Sequence, residues 1–463
     1  MRSEVTSTES GALLFHFEPE QGDCERDSPQ MVGSEVHVRL PDDCGIDDIH
    51  PDLLALSALL LVLPWIGREL TLGKGVSQRF AEAVEEDLGV HLHPVDPALA
   101  ARPTPDDGRP GLAFSGGVDS TAALSVMPRE THSVFLEQTA FSQQQASRQK
   151  NSLYKKEAAL HACTELSGMG HAVDIVPCDL ELIREPVGFP VDLSNALPLL
   201  CVADKRQLDS VGWGTIAESA YRIGAMGFTD YAERTTFTRW RRIFETVGLP
   251  IFNAVAGVSE VGTSIIARES PYGSLAQSCI RGQVGQPCGR CWKCFRKSLL
   301  DSALSGSWPS SRQLDAMFVG SEVRLYVNKI PLKHEDVLTY ALGMYEGGHP
   351  LALALKRKVR GGEVDMKWLE RWYPPSLDLV PQRYRKATSQ LLTEYLEPMS
   401  ETDMAEFQGW NLADVIESER YRTDAANLSR LLERHASSSL YARKERLAAM
   451  ARGAARRLRR LTG

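Results

Sequence analysis

The segment Leu112-Ala113-Phe114-Ser115-Gly116-Gly117-Val118-Asp119-Ser120-Thr121 constrains the fold more than any other. The apolar run from Gly111 to Phe114 has the length of a buried strand end, two adjacent glycines let the backbone turn tightly, and a helix is expected from near Asp119. The alternation continues downstream. Strands are expected at Ser133–Glu137, Ala172–Pro177, Val211–Ile216 and Ile251–Ala254, with helices at about 152–166, 195–207 and Arg239–Val247. Strands joined through helices point to a parallel sheet covered on both faces.

Chemistry is expected where that first helix begins. A helix N-terminus presents unpaired N–H groups and a partial positive charge, which attract an anion. Gly116 and Gly117 let the backbone approach phosphate oxygens, and Ser115, Ser120 and Thr121 add hydroxyl donors. Asp119 can hold Mg²⁺ or cap the helix. No lysine follows the glycines, so this is not the GxxxxGK[ST] loop. The alternative reading is a strand–turn–helix with capping Ser and Asp and no ligand.

Nine cysteines are unevenly spread: Cys24, Cys44, Cys163, Cys178 and Cys201 are scattered, whereas Cys279, Cys288, Cys291 and Cys294 fall within sixteen residues. Two thiolates at CxxC spacing can bind one ion across a tight turn, and four make a closed tetrahedral zinc site of structural type. A redox dithiol needs only two, and chance burial does not crowd four so closely. Arg281, Arg290, Lys293, Arg296 and Lys297 would offset the thiolate charge.

The loop resembles the PP-loop motif SGGxDS of enzymes that cleave ATP to AMP and pyrophosphate, with every specified letter matched by Ser115, Gly116, Gly117, Asp119 and Ser120. With the cysteines, the chain resembles the 7-cyano-7-deazaguanine synthase family, which pairs this loop with a late cysteine followed by CGxCxxC. Ser278-Cys279 and Pro287-Cys288-Gly289-Arg290-Cys291-Trp292-Lys293-Cys294 fit it, and the likeness covers about 111–300. It implies an α/β fold with a doubly wound, Rossmann-like parallel sheet of the adenine nucleotide alpha hydrolase type. It also implies ATP, Mg²⁺ and Zn²⁺ as bound groups, with the pyrophosphate of ATP on Ser115, Gly116, Gly117, Val118, Asp119, Ser120 and Thr121. Asp119 and Ser120 would be the catalytic residues, and a carbonyl oxygen would be adenylated for attack by a nitrogen nucleophile. Glu137, after the second strand, would lie beside the ribose or be a solvated strand end.

Departures cluster at the substrate end. The family's Arg-Asn pair reads Ser194-Asn195, its Thr-Lys pair reads Ser259-Glu260, and Gly214–Ser219 keeps the shape of the substrate strand without its full motif. Glu218 is a candidate substrate or metal contact, while His161 and His171 read as packing or surface residues. Two rivals stand beside the adenylation reading. One is sulfur transfer, for which Cys178 and Cys201 are the candidate thiols. The other is a degenerate nucleotide-binding scaffold, to which Glu260 in place of lysine lends support.

The rest of the chain divides around this core. Residues 1–100 are expected to form a smaller α+β unit, loosely ordered over 1–30, with a strand at Glu35–Leu40 and helices at 51–66 and 76–88. Five prolines between 94 and 110 read as a linker. Residues 111–304 form the expected ATP-binding domain. Residues 305–463 read as a helical extension, with helices at 334–345, 350–358, 384–396, 402–416 and 423–435 and with Trp368, Trp372 and Tyr373 in its core. The tail at 440–463 carries +7 against −15 elsewhere, and the net charge of −8 argues against a nucleic-acid-coating surface. RNA stays open as a partner, above all in the sulfur-transfer reading, but nothing indicates it; a small molecule or a protein is the expected substrate, and a homo-oligomer is compatible with the sequence. The most apolar run, Leu53–Trp65, is too short to cross a bilayer, and no secretory signal is evident, so a cytoplasmic location is expected.

Overall fold

The expected alternation of strands and helices is present between residues 109 and 252, and the N-terminal residues extend the same sheet. The computed structural model describes residues 1–8, 11–24, 26, 28–151 and 155–438, the side chains of residues 150, 151 and 438 excepted. The basic tail at 440–463 and part of the helix expected at 152–166 lie outside the described residues. The strands are β1 (Arg2–Ser7), β2 (Ala12–Glu18), β3 (Gln30–Met31), β4 (Glu35–Arg39), β5 (Glu69–Ser77), β6 (His91–Asp96), β7 (Arg109–Ala113), β8 (His132–Gln138), β9 (Val173–Cys178), β10 (Arg184–Glu185), β11 (Leu208–Gly212) and β12 (Ile251–Phe252). Ten of them form one sheet in the order β12-β11-β7-β8-β9-β4-β2-β1-β5-β6; β3 and β10 pair separately.

The strands from β12 to β9 are parallel, as the helical crossovers demand. The chain runs outward from β7 through β8 to β9, then returns to place β11 on the other side of β7. That reversal is a topological switch point, where two loops diverge and leave a crevice beyond the strand ends. The crossovers are built from α3 (Val118–Ser125), α4 (Gln143–Asn151), α5 (Glu157–Gly168), α6 (Leu197–Val202), α7 (Ala217–Ala220) and α8 (Thr235–Thr246), after α1 (Pro51–Val62) and α2 (Gln78–Leu88) in the N-terminal part.

The sheet is mixed, not purely parallel, because β4 joins β9 antiparallel at Val38–Cys178 and β2 and β1 continue in antiparallel fashion. Residues 1–30 are accordingly not loosely ordered throughout. Leu13, Phe15 and Phe17 alternate inward along β2 and are buried, while Gly and Asp occupy the turn after it. The proline-rich segment at 94–110 begins inside β6 and is pinned: buried Arg102 pairs with Asp204 at 2.6 Å and donates to the carbonyls of Val247 and Leu208.

Helices follow β12: α9 (Glu260–Glu269), α10 (Trp292–Ser305), α11 (Ser311–Val319), α12 (Ser321–Val327), α13 (Glu335–Gly343), α14 (Pro350–Lys358), α15 (Arg385–Tyr395), α16 (Glu401–Gly409), α17 (Ala413–Glu417) and α18 (Glu419–Ser438). This segment is bound tightly to the sheet. Tyr384 stacks on Phe252 of β12 and donates its hydroxyl to Asp209 of β11 at 2.6 Å. Trp372 bridges to Val258, and Trp410 donates its indole N–H to the carbonyl of Ile223.

Candidate functional site

The loop Ser115–Thr121 leaves β7 at the switch point. Gly116 adopts φ +69°, a conformation that favours glycine, and a β-carbon there would lie 3.0 Å from the Ala159 backbone on α5. Gly117 is the extended N-cap of α3 and Val118 its first residue. Ser120 closes the turn: its hydroxyl accepts from the Ser115 N–H at 3.2 Å, donates to the Gly117 carbonyl at 3.1 Å, and lies 3.1 Å from the Ser115 hydroxyl. The loop that follows β11 presses against this turn from the other side. A β-carbon on Gly214 would lie 2.7 Å from the carbonyl carbon of Asp119 and the nitrogen of Ser120, so the two switch-point loops touch backbone to backbone.

Between those loops opens a cavity of about 740 Å³, bordered by Ser115, Asp119, Asn195, Trp213, Glu218 and Arg222 among others. Asn195 accepts from the Trp213 indole at 2.6 Å, so the Ser194-Asn195 pair noted in the sequence does reach this wall. A second cavity of about 730 Å³ lies by Val118, His161, Cys279, Lys293, Lys297 and Asp301. A smaller one of about 250 Å³, near Ser3, Leu54, Leu72 and Lys74, gathers no comparable set of loop donors and carboxylates.

Asp119 is partly exposed in the first cavity. Its Oδ1 accepts from the Thr263 hydroxyl at 3.1 Å and lies 4.0 Å from Lys297 Nζ. A carboxylate beside a phosphate-sized loop is the usual protein contribution to Mg²⁺ held with nucleotide phosphates, so Asp119 fits that role. Thr121 Oγ1 is turned inward and buried, without a hydrogen-bond partner among the described residues. Glu137, at the end of β8, is engaged by the Lys156 ammonium.

Behind Asp119 lies a buried charged cluster that sequence reasoning did not assemble. Ser259 caps α9 by accepting from Gly262 N–H at 3.0 Å, which sets Glu260 in the first turn. Glu260 is met by Arg296 Nε at 2.8 Å, Lys297 Nζ at 3.2 Å and His334 Nδ1 at 3.6 Å. Burial alone would raise the Glu260 carboxyl, but Arg296, then Lys297 and His334, hold it far below the ordinary carboxylate range. Glu218 and Asp336 show the opposite. Burial, then the charges of Asp336 and Glu260, push Glu218 well up. Asp336 is pushed up to about 7, chiefly by burial. Glu218 Oε1 accepts from the Glu260 N–H at 2.7 Å, whereas its Oε2 has no partner among the described residues. Glu218 and Ser259-Glu260 stood out in the sequence, whereas Arg296 and Lys297, expected to offset the thiolates, pair with Glu260 instead, and nothing local marks His334 or Asp336 as partners.

The four cysteines come together: one sulfur from each of Cys279, Cys288, Cys291 and Cys294 lies within 4.8 Å of the others. Cys288 and Cys294 are 3.8 Å apart, which matches the roughly 3.8 Å edge of a tetrahedron of thiolates about 2.3 Å from zinc. Gly289 turns the knuckle at φ +64°, and Cys291 caps α10. The hydrogen bond from Cys294 draws the Cys291 thiol down to about 5. The cluster can hold a metal ion such as zinc. It also touches the loop at β7: Gln277 N–H donates to the Gly116 carbonyl at 2.8 Å, and Val118 N–H donates to Ser278 Oγ at 3.3 Å. Cys178 and Cys201 are buried, and burial pushes the Cys178 thiol well up and the Cys201 thiol up to about 12, which favours the inert thiol over a reactive thiolate.

Among the described residues, no helix is long and apolar enough to cross a membrane. A family of unknown function, DUF6395, matches residues 239–411, which include the cysteine cluster, Glu260 and Asp336 but not the Ser115–Thr121 loop. No curated protein and no solved structure matches the chain.

Proposed function

We propose that the chain is a PP-loop enzyme that uses Mg²⁺–ATP to adenylate a carbonyl oxygen, releases pyrophosphate, and then admits a nitrogen nucleophile. The observation that carries this reading is the placement of Ser115–Thr121 at the switch point of a parallel sheet, against a cavity, with Asp119 at its rim. Backbone N–H groups at the start of α3 and the hydroxyls of Ser115 and Ser120 would hold the pyrophosphate. Asp119 would hold Mg²⁺, which when bound neutralises phosphate charge. Lys297, close behind Asp119, adds positive potential from α10.

In the reaction, the carbonyl oxygen attacks the α-phosphorus and the bond to pyrophosphate breaks. The nitrogen then attacks the acyl carbon, and AMP leaves with the bonding pair. The chain's part is positioning and stabilisation of the leaving anion. Zn²⁺ on Cys279, Cys288, Cys291 and Cys294 would be structural, because four thiolates leave no open position. The test is calorimetry with Mg²⁺–ATP, followed by product analysis. Absence of nucleotide binding, or ADP as the product of turnover, would overturn the reading. Burial pushes the thiols of Cys178 and Cys201 up, which gives the sulfur-transfer alternative no support.

A further inference from the structure

The two oxygens of the Asp119 carboxylate have different surroundings. Oδ1 accepts from the Thr263 hydroxyl at 3.1 Å and faces the Lys297 ammonium at 4.0 Å. Oδ2 makes neither a hydrogen bond nor an ion pair among the described residues, and Asp119 borders the cavity beside the Ser115–Thr121 loop. One oxygen is anchored, and the other is left for a ligand. Mg²⁺ held with nucleotide phosphates takes few protein oxygens, so a single carboxylate oxygen at this place suits it.

Thr263 reaches Asp119 from the first turn of α9, which packs on α3, and it is fully buried. The start of α9 is fixed: Ser259 caps it, and the Ser259 hydroxyl donates to the Leu369 carbonyl. A buried hydroxyl between two helices is unfavourable unless its proton finds an acceptor. Two acceptors are in reach of Thr263 Oγ1, namely Asp119 Oδ1 and the Glu260 carbonyl at 3.3 Å. The Glu260 carbonyl already receives the Ser264 hydroxyl at 2.8 Å. The carboxylate is closer and charged, so the single Thr263 proton goes to Asp119. Lys297 does not compete for it at contact distance. Its ammonium donates to Ser264 Oγ at 3.2 Å and pairs with Glu260 at 3.2 Å.

We infer that Thr263 is a positioning residue for the metal: its hydroxyl holds Asp119 Oδ1, so that Oδ2 is the oxygen presented to Mg²⁺ at the phosphate loop. This rests on the adenylation reading, in which Asp119 holds Mg²⁺, and adds the residue that orients it. A carboxylate in the first turn of a helix is otherwise drawn to the unpaired N–H groups there. The bond from α9 sets Asp119 against that pull. Removing the hydrogen bond behind a metal-binding side chain costs about 10- to 100-fold in metal affinity.

The experiment uses the full-length chain, with Mn²⁺ as the probe for the Mg²⁺ position and α,β-methylene ATP as the nucleotide, since its bridge to pyrophosphate cannot be cleaved. Mn²⁺ affinity of the protein–nucleotide complex is read by electron paramagnetic resonance, and metal-free nucleotide binding by calorimetry. Thr263→Val keeps the shape and removes the proton. It should weaken Mn²⁺ binding by about 10-fold or more, with metal-free nucleotide affinity and zinc content as in the wild type. Thr263→Ser, which keeps the hydroxyl, should retain the wild-type Mn²⁺ affinity, and Asp119→Asn should lose it. Wild-type Mn²⁺ affinity in Thr263→Val overturns the inference, and the adenylation reading stands if Asp119→Asn still loses the metal. Equal losses in Thr263→Val and Thr263→Ser overturn it as well, because packing and not the hydroxyl would then matter. So does a Thr263→Val protein that loses metal-free nucleotide to the same extent, which marks a general disturbance of α3 against α9. A wild type that binds no nucleotide, or binds it without Mn²⁺, removes the adenylation reading and the inference with it.

Discussion

Lys297, on α10, brings its ammonium to 3.2 Å from the carboxylate of Glu260, the first residue of α9. Beside the Thr-Lys pair of the resembled family, Ser259-Glu260 makes Glu260 look like a charge reversal. In the fold it is the anion that keeps Arg296 and Lys297 buried beside Asp119. Removing one partner of a buried pair strands the other charge, at a cost of about 3–5 kcal/mol. Glu260→Gln should therefore lower unfolding free energy by roughly that amount in denaturant titrations. Glu260→Lys should be worse, since it adds a third cation. Lys297→Met should restore part of the loss in the Glu260→Gln background and cost stability in the wild type, a sign change that a double-mutant cycle resolves.

The same cluster predicts an unusual pH dependence. Glu260 has a folded value far below its unfolded value of about 4.3, so its contribution is present above that pH and lost below it. Asp336 runs the other way, with a folded value of about 7. Between about pH 4 and that value the unfolded chain ionises Asp336 while the folded chain keeps the proton, so stability falls as pH rises through the window. Glu218 adds to the fall, since its carboxyl is also raised. Melting temperature should thus peak on the acid side of neutrality. Asp336→Asn should flatten the descent towards pH 7 without impairing folding, because an amide replaces a carboxyl that is already neutral at the optimum. An unchanged profile in this variant would refute the assignment.

Metal content is the third expectation. Protein purified without a metal-affinity tag should carry about one zinc per chain, and Cys291→Ser should lower its melting temperature, since metal binding is coupled to folding. The bond from the Gln277 N–H to the Gly116 carbonyl and that from the Val118 N–H to the Ser278 hydroxyl add a second consequence. Chelation should weaken binding of Mg²⁺ and an ATP analogue although no cysteine reaches the cavity beside Asp119. Ser278→Ala should leave the zinc content unchanged, which separates loss of the metal from loss of this bond.

Local features were legible in the sequence. The apolar run, two glycines and a helix start at 111–125 are contiguous, and so are three of the four cysteines, so neither needed knowledge of the fold. What escaped depends on long-range packing. Glu218, Glu260, Arg296 and Asp336 meet only because α7, α9, α10 and α13 converge behind α3. The run Val211–Ile216 reads as a strand, yet β11 ends at Gly212 because Gly214 must turn against Asp119 and Ser120. The Gly, Ser and Asp content of residues 1–30 hid β1 and β2, of which β2 has its Leu13, Phe15 and Phe17 buried by the rest of the sheet.

The loop itself gives the most direct prediction. Asp119→Asn should bind the Mg²⁺-free nucleotide about as well as the wild type, yet lose AMP and pyrophosphate formation by roughly 100-fold or more, the scale of removing one group that stabilises a transition-state charge. Folding should be nearly unaffected. Asp119 is partly exposed, asparagine is tolerated near a helix start, and its side-chain oxygen can still accept from the Thr263 hydroxyl. Gly214→Val should fail differently. A β-carbon at 2.7 Å from the Asp119 backbone must displace the start of α3, so nucleotide affinity should fall along with activity, while the zinc content stays intact. The two variants thus separate chemistry from binding. If Asp119→Asn forms AMP at the wild-type rate, Asp119 does not hold the metal, and the carboxylate that does must be sought elsewhere on the cavity wall.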